Sequence, residues 1–489
     1  MSPTLHRLAL VCVISALAGC AVGPDYLRPD VETPAQFKEV EGWKVAEPSD
    51  DAPRGKWWER YGDVQLNALV EQIEISNQNV RAAEAQYRQA VGVLGVARAA
   101  YFPTITSNFS ASRAQGVSSS STSTGSSTIT PGAPIRNTDR LTLGASWEAD
   151  VWGRISRNVE ANTASAQASA GDLQAALLSA QGTLVQTYMQ LRANDAQRRL
   201  LEQTAEAYQR TLEITRNRYD AGVAGRIDVA QAESQLKTTQ AQAIDLGVLR
   251  AQYEHAIAAL LGKAPADFVL AATGEMPELP QIPVALPSAL LERRPDVAAA
   301  ERRAAAANAQ IGVAQAAFFP ALTLSSSGGY QSTSLSQLLT LPNRFWSVGP
   351  ALALTLFDAG ARSAQKDQAI ALYDKSVATY RQSVLTAFQE VEDNLASLRI
   401  LEEEAAVQLE AAKFAAESLQ LTQNQYQAGT VSYLNVVIAQ AASLSANRSS
   451  IDISGRRLLA SAALLKALGG DWREVKPEIQ KLEPDVPPM

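Results

Sequence analysis

Apolar positions along this chain follow two different periods, and the change from one to the other is abrupt. Residues 97–102 continue an Ala-rich stretch of helical character; after Pro103 the pattern alternates, with Ile105, Ser107, Phe109 and Ala111 on one side and Thr104, Thr106, Asn108, Ser110 and Ser112 on the other. The same change follows Phe319 and Pro320. Proline has no N–H for a helix hydrogen bond and disfavours helix in the residue before it, so Phe102-Pro103 and Phe319-Pro320 read as helix-to-strand junctions. Two more segments alternate. Leu141, Leu143, Ala145, Trp147 and Ala149 oppose Thr142, Gly144, Ser146 and Glu148, while Trp346, Val348, Pro350, Leu352, Leu354 and Leu356 oppose Ser347, Gly349, Ala351, Ala353 and Thr355. The predicted strands are about 103–113, 139–150, 320–331 and 346–357.

The rest of the pattern is helical. A helix over about 63–101 leads into the first strand, and a long helix begins near Ile155 with no proline before Pro265. The word "YDAGVAG", with Gly222 and Gly225, is the one place where that helix can end and turn back. Ile155 to Tyr219 is about 65 residues, or about 98 Å at 1.5 Å per residue, beyond an ordinary globular helix. The second half reads alike: Ala359 to Gln427 unbroken, a turn at Gly429, and a return helix to about Leu468.

That likeness extends to residue identities. Aligning Val80 with Val297 pairs Ala82-Ala83-Glu84 with Ala299-Ala300-Glu301, and Gly95-Val96-Ala97 with Gly312-Val313-Ala314. A second block pairs Leu212, Thr215, Asn217, Tyr219, Ala221, Gly222 and Val229 with Leu419, Thr422, Asn424, Tyr426, Ala428, Gly429 and Val436. The chain is a tandem duplication. Its predicted organisation is a leader (1–19), an N-terminal segment (20–62), a first repeat (63–262), a linker (263–286), a second repeat (287–468) and a tail (469–489).

Composition narrows the function classes. Of 489 residues, 46% are hydrophobic but only 6% aromatic; alanine carries the excess, which favours closely packed helices. A formal charge of −7, with no basic patch interleaved with aromatics, argues against nucleic acid. The only histidine beyond the leader is His255, and both cysteines, Cys12 and Cys20, lie at the extreme N-terminus. A histidine-based triad, a His or Cys metal cluster and a disulfide framework are therefore not available. No phosphate-binding glycine word is present, and the chain does not read as an enzyme.

The strands suggest a membrane. One apolar face, one small polar face, about ten residues per strand and aromatics such as Tyr101, Phe102, Trp147, Trp152, Phe318, Phe319, Phe345 and Trp346 at the ends fit a transmembrane barrel. A half-buried antiparallel sheet in a soluble domain fits the alternation equally. In lipid, four strands leave open edges, so a barrel has to pool strands from several chains. The Ser/Thr-rich segment 116–137 reads as an outer-surface loop or a flexible linker.

At the N-terminus, His6 and Arg7 precede an apolar run, Leu8 to Ala18, of signal-peptide length, which ends in "LAGC". This is similar to the lipobox of bacterial lipoproteins, with cleavage before Cys20 and acylation of that cysteine; an ordinary signal peptide is the plainer alternative. Alanine rather than aspartate at position 21 favours, by that resemblance, the outer membrane.

Taken together, "GCAVGPDYLRP", "WWERYGDVQLNALVEQ", "LLERRPDVAAAERR", the two Phe-Pro junctions and the duplicated "YDAG" and "YQAG" turns resemble the outer membrane factor family, the TolC and OprM type of export duct, in its lipoprotein branch. The resemblance implies a homotrimer in the outer membrane. Its fold would be a 12-stranded transmembrane β-barrel, four strands per chain, continued by a long periplasmic α-helical barrel with a mixed α/β equatorial region. It implies an outer-membrane channel of a tripartite efflux system for drugs or other small toxic compounds. The partners are a periplasmic adaptor (membrane fusion protein) docking at the Gly222 and Gly429 hairpin tips and an inner-membrane pump of the resistance-nodulation-division type. Besides outer membrane lipid and a covalent lipid on Cys20, no cofactor or metal is implied. A secretion duct for proteins or peptides (type I) and a passive envelope scaffold are the alternatives.

By the same resemblance, a periplasmic gate involves Asp228, Tyr426, Leu434, Asn435 and Ile438. Asp228 and Tyr426 match positions that tie neighbouring hairpins, and Leu434 and Ile438, at i and i+4, share a helix face suited to an apolar constriction. The chain departs from the pattern where Asn435 and Ile438 replace aperture carboxylates and Val431 replaces a latch arginine. Ordinary hairpin packing accounts for the same residues without a gate.

Overall fold

The structure, a computed structural model, describes residues 21–31, 37–38, 56–115, 118–121, 127–130, 135–281 and 294–470. The leader, Cys20 and the tail from residue 471 lie outside the described residues. In chain order the elements are α1 (Val64–Ser76), α2 (Gln78–Ala99), β1 (Thr104–Gln115), β2 (Ser118–Ser121), β3 (Ser127–Thr130), β4 (Ile135–Ala149), α3 (Arg154–Asp220) and α4 (Arg226–Leu260). The second half follows with α5 (Pro295–Ala316), β5 (Ala321–Ser332), β6 (Arg344–Ala353), α6 (Ala361–Gln427) and α7 (Tyr433–Ala467). The chain divides into two units: residues 1–29, 89–166 and 302–378 form one, residues 30–88, 167–301 and 379–489 the other.

The first unit holds an antiparallel sheet in the order β1-β4-β5-β6. Its register joins the alternation of each strand into one continuous face. Phe109 lies opposite Leu141, which lies opposite Tyr330. Trp147 lies opposite Leu324 and that residue opposite Pro350, while Leu322 meets Leu352. Because side chains repeat every two residues, a slip of one residue would scatter these rings and aliphatics across both faces. The opposite face carries Thr106, Asn108, Thr142, Gly144, Ser146 and Ser327. Among the described residues neither face is covered: Phe109, Leu143, Val348 and Leu352 of the apolar face and Thr106, Asn108 and Ser146 of the other are exposed, and Trp346 is 75% exposed. Each of β1 and β6 has a single neighbour in this sheet, so both lateral edges are open.

Two strands differ from the pattern-based expectation. β6 ends at Ala353, short of 357, because its neighbour β5 begins only at Ala321, paired to Ala353, right after a proline. Leu354 to Phe357 have no strand beside them to complete a ladder. In the Ser/Thr-rich segment, β2 and β3 form a short antiparallel ladder, and β4 reaches back to Ile135.

Indole N–H groups tie the Phe-Pro junctions. Trp147 Nε1 donates to the Tyr101 carbonyl and Trp152 Nε1 to the Pro320 carbonyl, each at 2.9 Å, and Trp152 stacks on Phe319 at 4.7 Å between centroids. Residues 21–26 lie along the start of α3: Val22 N donates to the Trp152 carbonyl at 3.1 Å, and buried Arg157 holds Asp25 at 2.7 Å.

The second unit contains the main core. Trp57, Trp58 and Tyr61 of a 3₁₀ turn pack with Leu66, Ile73, Tyr188, Ile257, Tyr380, Val391 and Leu464. Where the periodicity suggests one helix over 63–101, the chain forms two, because Asn77 turns extended (ψ 124). Its side chain accepts from Asn79 N and Val80 N to start α2, and donates to the Leu260 carbonyl at 2.7 Å. Small residues bring helices together: a Cβ on Gly171 of α3 would stand 2.9 Å from the Pro295 carbonyl at the start of α5. The described part of the linker, 263–281, has one 3₁₀ turn, Pro265–Asp267, and is otherwise irregular, with Pro277 and Pro280 offering no backbone donor.

Candidate functional site at the hairpin tips

The α3/α4 and α6/α7 hairpins turn on homologous glycines. Gly222 (φ 72) and Gly429 (φ 79) adopt the left-handed conformation that ends a helix without a Cβ clash. Backbone bonds repeat as well: Ala221 N to Asn217 O and Gly222 N to Tyr219 O in one tip match Ala428 N to Asn424 O and Gly429 N to Tyr426 O in the other.

An aromatic cluster joins the two hairpins. Tyr208 and Leu212 of α3, Val229, Ala232 and Leu236 of α4, and Tyr426, Tyr433 and Val436 of the second hairpin are buried together. Tyr426 and Tyr433 meet edge to face, centroids 5.4 Å apart. Burial pushes the Tyr433 phenol well above the ordinary tyrosine range, and nearby Tyr426, Tyr208 and Asp228 push the same way. Above the Tyr426 ring lies Arg218, its guanidinium carbon 4.7 Å from the centroid. Arg218 Nη1 donates to the carbonyls of Tyr426 (2.8 Å) and Gln427 (3.0 Å), the last residues of α6.

The gate residues named from the resemblance separate by role. Leu434 (50% exposed) and Ile438 (60%) lie with exposed Asn435 on the outward face of α7, opposite buried Tyr433, Val436 and Gln440. Asp228 accepts from Gly225 N at 3.2 Å and caps its own helix. The Tyr426 hydroxyl is buried without a hydrogen-bond partner among the described residues of the protomer, and no Asp228–Tyr426 hydrogen bond forms between these two side chains. Phe102, Pro103, Phe319 and Pro320 sit at the helix-to-strand steps of the other unit, and Cys20 is outside the described residues.

Sequence reasoning missed Arg218, Tyr208 and Tyr433. The duplication carried a signal for two of them. Arg218 aligns with Gln425 and Tyr433 with Arg226, so each is present in one repeat only.

A duplicated chain with an open, two-faced sheet and two long helix hairpins is the architecture of an outer-membrane duct. The model of the outer membrane efflux protein family matches residues 69–263 and 286–470, the two repeats, and the chain belongs to that family. It is 30% identical over 491 residues to the antibiotic efflux pump outer membrane protein ArpC of Pseudomonas putida, covering 97% of each chain. It is 28% identical to the cation efflux system protein CusC of Escherichia coli, covering 97% of this chain and 100% of the relative. The solved structure of the outer-membrane channel OprN superposes with a TM-score of 0.82 at 31% identity, over 92% of this chain and 99% of that one. The chain is an efflux channel component of the outer membrane. Its fold joins a transmembrane β region to a long periplasmic α-helical region.

Proposed function

We propose that three copies of this chain pool their sheets into one 12-stranded barrel and form an exit duct for small toxic compounds. The observation that carries this is the four-stranded sheet with both edges open and one apolar face exposed. In lipid, unpaired edge groups are costly, and closure with identical neighbours removes both edges at once. The apolar face then meets lipid and the Ser/Thr/Gly face lines the passage.

Energy and selectivity come from partners: an inner-membrane pump of the resistance-nodulation-division type and a periplasmic adaptor docking at the Gly222 and Gly429 tips. Relatives named for antibiotics and for cations support a duct that takes what its pump delivers, and favour efflux over protein secretion or a passive scaffold. Cys20, acylated after cleavage of the leader, anchors the chain. The protein works without catalytic residues, metal or cofactor other than that lipid. Leu434 and Ile438, exposed on one face of α7 with Asn435 beside them, form an apolar periplasmic constriction, and Asp228 and Tyr426 tie neighbouring hairpins of the gate.

The test is the mass of the detergent-extracted particle, corrected for bound detergent. Three times the chain mass is the expected result; a monomer that keeps its β signal would return the sheet to a soluble reading. Deleting the gene is expected to raise intracellular accumulation of the pump's compounds, and unchanged accumulation would remove the efflux assignment.

A further inference from the structure

Charge is distributed unevenly over the four-stranded sheet. Along β1, β4, β5 and β6 the only charged residues are Arg113, Arg136, Asp139, Arg140, Glu148 and Arg344. All but Glu148 lie at the end away from the Phe-Pro junctions, which is the outer end of the duct. The connections there add nothing, since residues 116–134 and 333–343 contain no charged side chain. Four arginines therefore stand against one aspartate at this end of a chain whose net charge is −7.

Strand register sorts these residues by face. Arg140 lies opposite Ser110 and Gln331 on the small polar face, and Arg136, four residues back on β4, shares that face. Arg113 lies opposite Asn137 and Arg344 opposite Tyr330, so both fall with Asp139 on the apolar face. The polar face thus carries two arginines at its outer end. Its one strand carboxylate, Glu148, lies at the other end, where Arg154 holds it by two bonds of 2.7 and 2.9 Å. Arg140 is laid along the wall: its Nε donates to Thr142 Oγ1 at 3.1 Å, and its guanidinium carbon is 4.6 Å from the centroid of the Phe345 ring. Both arginines are exposed, and a guanidinium keeps its proton throughout the working pH range.

We propose that Arg136 and Arg140 form an anion-attracting ring inside the outer mouth of the duct, so that the passage favours anionic cargo such as carboxylates over cations. This rests on the duct reading given above, in which three polar faces enclose the passage. A 12-stranded barrel, with strands about 4.8 Å apart and tilted by about 40°, has a backbone diameter of about 24 Å. Its wall side chains then lie within about 10 Å of the axis, one Debye length at 0.1 M salt. The arginines of three chains therefore act together on whatever crosses the mouth, and their effect fades as salt rises. The planar guanidinium also suits carboxylates in particular, which it can meet with two parallel bonds.

The experiment is the reversal potential across planar bilayers under a tenfold potassium chloride gradient, at low salt, with the full-length protein. Wild type, Arg136→Gln/Arg140→Gln, Arg140→Glu, Arg140→Lys and Arg113→Gln are compared, each also in a Leu434→Gly/Ile438→Gly background so that the periplasmic constriction does not set the current. The double variant is expected to lower the chloride-to-potassium permeability ratio several-fold, and Arg140→Glu to lower it at least as far. Arg140→Lys, which keeps the charge, is expected to stay near wild type. Arg113→Gln removes the same charge from the same end of the sheet but from the apolar face, and is expected to change nothing. An equal shift in Arg113→Gln would overturn the assignment to the passage. A particle of three chain masses whose permeability ratio is the same in wild type, the double variant and Arg140→Glu would overturn the ring and leave the duct standing. A monomeric particle that carries no current in any variant would overturn both.

Discussion

The two hairpin tips carry the same duplicated words and yet present different surfaces. Tyr219 of the first is 41% exposed, whereas its repeat partner Tyr426 is 5% exposed, pressed between Arg218 and Tyr433. The first tip is self-sufficient: Asp228 caps α4 through Gly225 N, and Arg216 holds Glu233 at 2.6 Å. The second has no such devices. Ser432 makes no side-chain cap, Asn435 replaces the capping carboxylate, and glutamines stand at 423 and 425 where the first tip has Arg216 and Arg218. Duplication supplied two copies of one turn; divergence left one as a fixed frame and made the other dependent on it.

The largest test of this contrast is aromatic burial. Tyr433→Ala removes a fully buried ring and is expected to cost about 3 kcal/mol or more, whereas Arg226→Ala at the equivalent exposed position is expected to fall within about 0.5 kcal/mol. Denaturant titration of the detergent-solubilised protein measures both, and equal costs would erase the distinction between frame and dependent tip.

Backbone strain should not distinguish the tips. Gly222→Ala and Gly429→Ala each force a side chain into the left-handed region, at about 1–2 kcal/mol. Both sites have room for the Cβ, the nearest atom being Arg218 Nη2 at 3.9 Å from that of Gly429. Markedly unequal losses in the same titration would mean that one turn is held by more than its glycine.

Capping comes next in size. Asp228→Asn is expected to lose about 0.5–1 kcal/mol and Asn435→Asp to gain about 0.5 kcal/mol, since a carboxylate at the first turn of a helix complements its dipole. Hydrogen exchange at the first turns of α4 and α7 reads each change locally, and a gain at Asp228→Asn would contradict the frame role.

The smallest effect at neutral pH is ionisation of the aromatic cluster. The Tyr433 phenol is raised above its ordinary value of 10.0 by burial. A raised pKa means that the folded state favours the protonated form, so this contribution is complete below about pH 10 and is lost as pH rises further. Stability of wild type is expected to fall above pH 10 more steeply than that of Tyr433→Phe; parallel curves would show that another group governs the alkaline limb.

How far the chain was readable depends on where each determinant lies. The strand alternation was legible because a pleated strand sends successive side chains to opposite faces, and the register then aligned Phe109, Leu141 and Tyr330 on a face already marked as apolar. The hairpin turns were legible through Gly222 and Gly429, since few residues other than glycine accept that backbone. The break at Asn77 was not, because a single asparagine inside a helical pattern does not by itself mark a cap, and here its side chain both caps α2 and reaches the distant Leu260 carbonyl. Nor was the end of β6, which is decided by where β5 begins.

Sequence by itself determined the duplication, the class of every long element, the Phe-Pro junctions and the glycine turns, all of which follow from local sterics and periodicity. Tertiary structure alone decided which copy of a repeated residue is buried. Tyr219 and Tyr426 sit in nearly the same local sequence, and only the second meets an arginine 208 residues away along the chain. Burial is a property of what packs against a residue, and a helix end that already has its own turn can take a further donor wherever the fold brings one.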